Sequence, residues 1–175
     1  MINGFLAIDK PENTSSHQVV RAIKRLFNTR QVGHTGTLAP LATGLLLIAI
    51  GEATKFIPHI NNTQKTYDAE ALLGIISHSY DSELTPTHHF PVENHIGIKL
   101  KSVIDHYSDH PTLPIPPYSA CKYQGHPLYF YARKGVYIYL AHKTYPNVSI
   151  NVIGKDTPTD ENRINKLMDE IKFVK

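Results

Sequence analysis

Hydrophobic residues in the first third of the chain change their spacing twice. Gly4 to Ile8 reads as a strand that ends at Asp9-Lys10-Pro11, because proline cannot continue the pairing. Ser15 and Gln18 fit a capping box, which predicts a helix that runs to about Asn28. Its apolar residues recur at helical spacing, and they are Val19, Val20, Ile23, Leu26 and Phe27. Leu45 to Ile50 is an unbroken apolar run that predicts a strand buried on both faces.

The pattern weakens further along the chain. Glu52 to Ile57 predicts a short helix stopped by Pro58, and Thr66 to Leu73 alternates as a half-buried strand does. Ser77 to His95 is polar and predicts an exposed excursion. The remaining predicted elements are a helix over 96–107 with Leu100, Val103, Ile104 and Tyr107 inward, a strand over 148–153 and an amphipathic helix over 162–174. This succession predicts an α+β fold, a mixed and largely antiparallel sheet with flanking helices.

The segment from Gly33 to Gly44 interrupts this pattern between the first helix and the apolar strand. Three glycines, one proline and three threonines in twelve residues exclude a helix interior or a long strand. Pro40 biases Ala39 away from the helical conformation. We therefore expect an ordered loop that presents His34 and position 39 to one side. An ordinary glycine-containing connection fits the same composition.

Composition and charge narrow the function classes. Residues 1–67 hold seven Lys or Arg against three Asp or Glu, whereas residues 68–175 hold eleven against twelve. A basic half that carries the glycine loop suits a polyanionic partner, but on charge alone a solvated surface is the simpler interpretation. No apolar run approaches the length of a membrane span, and the single cysteine, Cys121, fits a reducing cytoplasm and is expected to be a small packed residue.

The segment from Gly33 to Gly44 resembles the signature of the pseudouridine synthases, in particular the tRNA pseudouridine synthase B family of tRNA pseudouridine-55 synthases. The family pattern is Gly-His-x-Gly-x-Leu-Asp-Pro-x-Ala-x-Gly, and this chain departs from it only at Ala39, where the family has its catalytic aspartate. Lys65-x-Tyr67 and Leu73-Gly74 match a second block. The resemblance implies a pseudouridine synthase-like catalytic core that isomerises a uridine in the T-arm of tRNA.

The resemblance also implies roles for individual residues. The target base must be flipped out of the folded RNA, and the family histidine at position 34 is expected to help hold that state. Tyr67 is expected to stack on the base, although a half-buried strand tyrosine would need no such role. The aspartate at position 39 would attack the nucleoside, so Ala39 can only line the pocket. Neither a metal nor an organic cofactor is implied.

Ala39 has two explanations that one sequence cannot separate, an introduced substitution and natural decay. The family's later Lys-Gly-Thr-Tyr-Ile-Arg block, with a further tyrosine and arginine of the site, does not appear in the sequence. We therefore expect an isomerase by family whose activity is absent or severely impaired. The alternatives are a catalytically dead tRNA-binding fragment and a decayed product without an RNA role.

The segment from Pro116 to Gly135 resembles another family block. Its tyrosines alternate with basic residues that could contact RNA by stacking and phosphate pairing, and they could equally form an aromatic core edge with a charged rim. The candidate RNA-binding residues are His34, Lys10, Lys65, Tyr118, Lys122 and Arg133, and Lys24, Arg25 and Arg30 are candidate phosphate contacts. His106 and His110 have a spacing that zinc ligands use, but Pro111 and the lack of further ligands nearby argue against a metal.

The resemblance is expected to cover residues 1–153 as a C-terminally truncated catalytic-domain portion, with 154–175 as a divergent tail. We expect a cytoplasmic monomer whose partner is tRNA and which binds no membrane.

Overall fold

The chain divides into two compact units, Met1–Glu70 and Ala71–Lys175. The computed structural model describes residues 2–60, 63–91, 96–108, 111–145 and 147–152. The predicted helix over 162–174, the predicted domain boundary at residue 153 and His110 lie outside these residues. The described elements are helices and antiparallel strand pairs, as expected for an α+β fold.

The first unit is built on a three-stranded antiparallel sheet in the order β1-β3-β2. Its strands are β1 (Gly4–Lys10), β2 (Val32–His34) and β3 (Gly44–Ile50). In the β1–β3 ladder Gly4 pairs with Ile50 and Lys10 with Gly44, while in the β2–β3 ladder His34 pairs with Ile48. The predicted strands at 4–8 and 45–50 are confirmed. Both ends of the glycine loop therefore lie at β3, because Gly33 pairs with Ala49 of that strand and Gly44 is its first residue.

Helix α1 (Ser16–Leu26) packs its apolar side against this sheet. The capping box is confirmed, because the Ser15 and Gln18 side chains each accept a hydrogen bond from the other's backbone N–H. The buried core cluster is shared by α1 and β3, and it consists of Val19, Val20, Ile23, Leu46, Ile48 and Ile50. Burial of β3 on both faces is wrong at its first apolar residue, since Leu45 is 71% exposed.

Helical residues follow β3, and they continue past Pro58, where the sequence predicts that the helix ends. A 3-10 helix (Gly51–Phe56) runs directly into α2 (Ile57–Ile60), and Pro58 lies inside α2. Proline is tolerated there because the first turn of a helix makes no internal bond with that N–H. Gly51 has a φ of +62°, and a Cβ there would lie 2.6 Å from the Ile2 carbonyl oxygen, which explains the glycine.

The second unit contains short elements. The strands among its described residues are all two residues long and form three antiparallel pairs, β4 (Ile75–Ile76) with β5 (His88–His89), β6 (Thr112–Leu113) with β9 (Lys143–Thr144), and β7 (Lys122–Tyr123) with β8 (His126–Pro127). The helices in the described part of this unit are α3 (Ile96–Tyr107) and α4 (Leu128–Ala132). The bounds predicted for α3 are confirmed, but Val103 and Tyr107 are exposed rather than inward.

Four further predictions fail in the described residues. No strand forms over Thr66–Leu73, where residues 66–71 are all exposed, because alternation produces a strand only if a neighbour pairs with it. Over 148–152 only Val148 forms a bridge. The polar excursion after Ser77 is not wholly exposed, because Ser77 and Ser79 are buried and Ser77 donates to the Asp81 carbonyl at 2.6 Å. Cys121 is exposed rather than packed.

Candidate nucleic-acid interface around the glycine loop

The loop from Thr35 to Thr43 leaves β2 and returns at the start of β3. At its beginning the Thr35 N–H donates to the Leu47 carbonyl at 3.0 Å. In its centre the Ala42 N–H donates to the Ala39 carbonyl at 3.1 Å, which closes a turn with Pro40 in its second position. Ala39 opens this turn and is exposed. The loop is thus ordered, as its glycine and proline content predicts.

Ser16 at the start of α1 fixes the middle of the loop. Its hydroxyl accepts from the Leu38 N–H at 3.0 Å and lies 3.3 Å from the Leu38 carbonyl, to which it donates. The Ser16 side chain is 1% exposed, so these two bonds satisfy a buried polar group. Leu38 itself packs against the core cluster. Together the hydroxyl and the apolar contact hold the residue next to Ala39.

Lys10 fixes the same turn from β1. Its Nζ donates to three backbone carbonyls, those of Thr14 at 2.7 Å, Pro11 at 2.9 Å and Pro40 at 3.1 Å. An ammonium has three donors, so all of them are used. Burial lowers the pKa of Lys10, and the charge of Glu12 partly opposes that effect.

The phosphate contact predicted for Lys10 is therefore contradicted by the structure. The residue is 0% exposed, so its charge is not presented to a ligand. Its physical role here is to join the segment 11–14 to the turn at Pro40. The positive charge of a lysine does not reveal from the sequence whether the side chain points outward.

His34 lies at the end of β2, at the entrance to the loop, and is half-buried. Its Nδ1 is 2.7 Å from the Gly36 carbonyl oxygen. Because a carbonyl only accepts, Nδ1 carries the hydrogen, and neutral His34 keeps a lone pair on Nε2. Desolvation lowers the pKa of His34, the bond to Gly36 opposes this, and the charge of His17 lowers it further. The ring of His17 meets that of His34 edge to face, with centroids 5.7 Å apart.

Tyr67 is not brought to this loop by any described contact. Its side chain is 68% exposed, and no hydrogen bond or ring contact in the described part of the chain joins it to His34 or to position 39. Lys65, two residues earlier, donates to the Thr63 carbonyl at 3.2 Å. A common pocket of His34 and Tyr67 remains a prediction.

The candidate residues of the second unit surround α4. Lys122 is exposed on β7. Arg133 lies 5.3 Å from the centroid of the Tyr129 ring and 3.5 Å from a Glu83 carboxylate oxygen. The Tyr118 hydroxyl donates to the Ala132 carbonyl at 3.4 Å, and burial, followed by the neighbouring Tyr137, raises its pKa. These contacts place Tyr118 against the helix and leave the basic side chains outside.

Two residues that hold or contact the loop, Ser16 and His17, are not among the candidates that the sequence motifs indicate. Ser16 occupies the apolar side of α1, three and four residues before Val19 and Val20, and a polar residue at such a position is a signal for a buried hydrogen bond. His17 offered no comparable signal, because its neighbour His34 is distant in sequence. Among the described residues no group of three or more potential ligands could hold a metal ion, and no described helix is long and apolar enough to cross a membrane.

Comparison with known proteins defines the class to which this fold and loop belong. The family model for the TruB family pseudouridylate synthase (N terminal domain) matches residues 24–167, which extends past the boundary predicted at residue 153. The chain therefore belongs to this pseudouridylate synthase family.

Individual curated proteins are also similar to this chain in sequence. The chain is 41% identical to tRNA pseudouridine synthase B of Blochmanniella pennsylvanica over 136 residues, covering 78% of this chain and 52% of the relative. It is 45% identical to the protein of that name from Hamiltonella defensa (77% and 43% covered) and 37% identical to that of Bacillus velezensis (93% and 52% covered). The chain thus spans about half the length of the curated relatives it matches.

A search of solved structures finds a chain in a crystal structure of a Cbf5-Nop10-Gar1 complex. The match has 25% sequence identity and a TM-score of 0.43, and it covers 68% of this chain and 31% of the other.

Proposed function

We propose that this chain is the RNA-binding N-terminal part of a cytoplasmic tRNA pseudouridine synthase, with little or no isomerase activity of its own. The reaction proposed for its class is the conversion of a T-arm uridine of tRNA to pseudouridine. The observation that carries the proposal is the signature loop from Gly33 to Gly44, which is held by Ser16 and Lys10 while the exposed position 39 bears only a methyl group.

The loss of activity follows from chemistry at position 39. The family reaction needs a carboxylate that attacks the nucleoside, and alanine offers no nucleophile. No metal or organic cofactor is part of the proposal.

Binding is proposed for the solvent-accessible cations of the first unit, without Lys10. Arg25 and Arg30 are exposed and Lys24 is half-buried, and such groups can pair with phosphates. The aromatic and basic residues around α4 offer stacking as well as charge, which single-stranded or looped RNA recognises. tRNA is the proposed partner of a monomeric chain.

The test is a titration of unmodified tRNA transcript with this chain at low and moderate salt, followed by chemical detection of pseudouridine after prolonged incubation. We expect binding that weakens steeply with salt and no pseudouridine. A duplex DNA of equal length serves as the polyanion control. Absence of tRNA binding at low salt would refute the RNA-binding function, and pseudouridine formation at the rate of a full-length relative would refute the inactivity.

A further inference from the structure

His17 is a residue that neither the family signature nor the proposed chemistry uses. It lies in the first turn of α1, exposed, and its ring meets that of His34 with centroids 5.7 Å apart and an interplanar angle of 77°. The next residue back, Ser16, holds the loop at Leu38. The same helix turn therefore contacts both the middle of the loop and the histidine at its entrance.

One ring nitrogen of His34 makes a hydrogen bond within the described chain, and the other makes none there. Nδ1–H donates to the Gly36 carbonyl at 2.7 Å, whereas Nε2 has no hydrogen-bond partner in the described residues. The described half-buried and buried residues contain no enclosed polar side-chain atom without a partner. Nε2 of the half-buried His34 is therefore reached by solvent, and in the neutral ring it is an acceptor.

We propose that His17 is a positioning residue for His34, which holds that ring with Nδ1–H on the Gly36 carbonyl and Nε2 open to accept a hydrogen bond from an N–H or O–H group of RNA. The proposal rests on RNA as the ligand of this loop. A ribose hydroxyl or a base N–H supplies such a donor, whereas a phosphate oxygen does not.

Desolvation and the charge of His17 favour the neutral, accepting ring of His34, and the hydrogen bond to the Gly36 carbonyl opposes them. The groups that face it are His17 from α1, the Gly36 carbonyl from its own loop and the apolar Ile48 across the ladder. A proton on Nε2 would remove the acceptor, and a protonated His17 at this distance repels it. Desolvation acts in the same direction on the pKa of His34.

Two substitutions separate the ring contact of His17 from its charge. His17→Phe keeps an aromatic edge-to-face partner and removes the charge, whereas His17→Asn removes both. The matched control is His59→Asn, since His59 is an exposed histidine of α2 with no ring contact in the described chain. The protein is the full chain with histidines labelled with ¹³C and ¹⁵N.

The first measurement is an NMR pH titration of free protein that follows the His34 ring nitrogens. We expect the parent chain to show the Nδ1–H tautomer at neutral pH. In His17→Phe the His34 pKa should rise while the tautomer is kept. In His17→Asn the pKa should rise and the Nδ1–H fraction should fall. A His34 pKa and tautomer identical in all four proteins would overturn the proposal.

The second measurement is binding of an unmodified T-arm hairpin RNA between pH 5.5 and 8. We expect His17→Asn to weaken binding at neutral pH about two- to tenfold, the range for one hydrogen bond, and His17→Phe to bind like the parent. Parent binding that strengthens as His34 becomes protonated would show a phosphate contact and contradict the acceptor role. If no protein binds RNA, the proposed function fails, while the NMR titration still decides whether His17 positions His34.

Discussion

The two units of this chain differ in the length of their paired strands and in the number of their buried apolar side chains. In the first unit two seven-residue strands pair over their whole length, and six buried apolar residues from α1 and β3 form a core. In the second unit every described strand has two residues, and the buried apolar side chains among its described residues are Pro111, Leu128 and Ala132.

The difference separates two kinds of candidate site. The glycine loop of the first unit is fixed by bonds to buried groups, so its geometry is set before any ligand binds. The residues around α4 are exposed aromatics and cations whose contacts are with one another, such as Lys134 over the Phe130 ring at 4.0 Å. A preorganised loop suits chemistry at one position, whereas an exposed aromatic and basic segment suits adaptable contact with a surface.

The largest expected effect tests whether the preorganised loop is enough for catalysis. Loss of a sole nucleophile costs on the order of 10⁴-fold or more in rate, so the parent chain should form no detectable pseudouridine. Ala39→Asp should restore little, because the cation beside the turn, Lys10, already uses its three donors on backbone carbonyls.

The measurement is pseudouridine formation on unmodified tRNA by parent, Ala39→Asp and a full-length relative. Ala39→Glu is the control for added charge. Recovery by Ala39→Asp to near the rate of the relative would show that the missing nucleophile was the only defect.

A core substitution tests whether the first unit depends on its shared α1–β3 core. Ile48 is 0% exposed, and Ile48→Ala should lower the free energy of unfolding by about 2–5 kcal/mol, because it removes contacts and leaves a cavity. Leu26→Ala, at a residue of α1 that is 74% exposed, should change it by less than about 0.5 kcal/mol. Urea denaturation measures both. Native-state hydrogen exchange should find the β1 and β3 amides more protected than those of β4 to β9, and equal protection would remove the contrast between the units.

Replacing Lys10 tests whether the loop depends on its buried ammonium. Lys10→Met keeps much of the side-chain volume and removes three charge-assisted hydrogen bonds, so we expect a loss of about 2 kcal/mol in the free energy of unfolding. Arg21→Met, at an exposed position of α1, is the control for loss of a positive charge. If both variants unfold at the same urea concentration as the parent, Lys10 does not stabilise the loop.

The smallest effect expected is a pH dependence of the free energy of unfolding, which arises from His34 in the first unit. Because desolvation lowers the pKa of folded His34, the unfolded chain binds this proton more readily. Stability should therefore fall as the pH drops through the ordinary histidine pKa of about 6.5 toward the lower folded value. Urea midpoints of the parent and His34→Gln, compared at pH 7.5 and at pH 5, measure the contribution. An unchanged difference between them at the two pH values would contradict it.

The sequence alone was sufficient for elements whose signals are local. The capping box at Ser15, the helix after it, the strands at 4–8 and 45–50 and the bounds of α3 depend on residue spacing within a few turns, and all are present. The signature from Gly33 to Gly44 was also sufficient to identify the family, because its residues are contiguous.

Only the tertiary structure decided where side chains point and which distant residues meet. Lys10 has the charge of an RNA contact, but the pairing of β1 with β3 turns its Nζ toward the carbonyl of Pro40, thirty residues away. Thr66–Leu73 alternates like a strand and forms none, since pairing needs a neighbour that no local pattern supplies. The contact of His17 with His34 likewise exists because α1 packs over β2 and β3. The local sequence around either histidine does not predict such long-range packing.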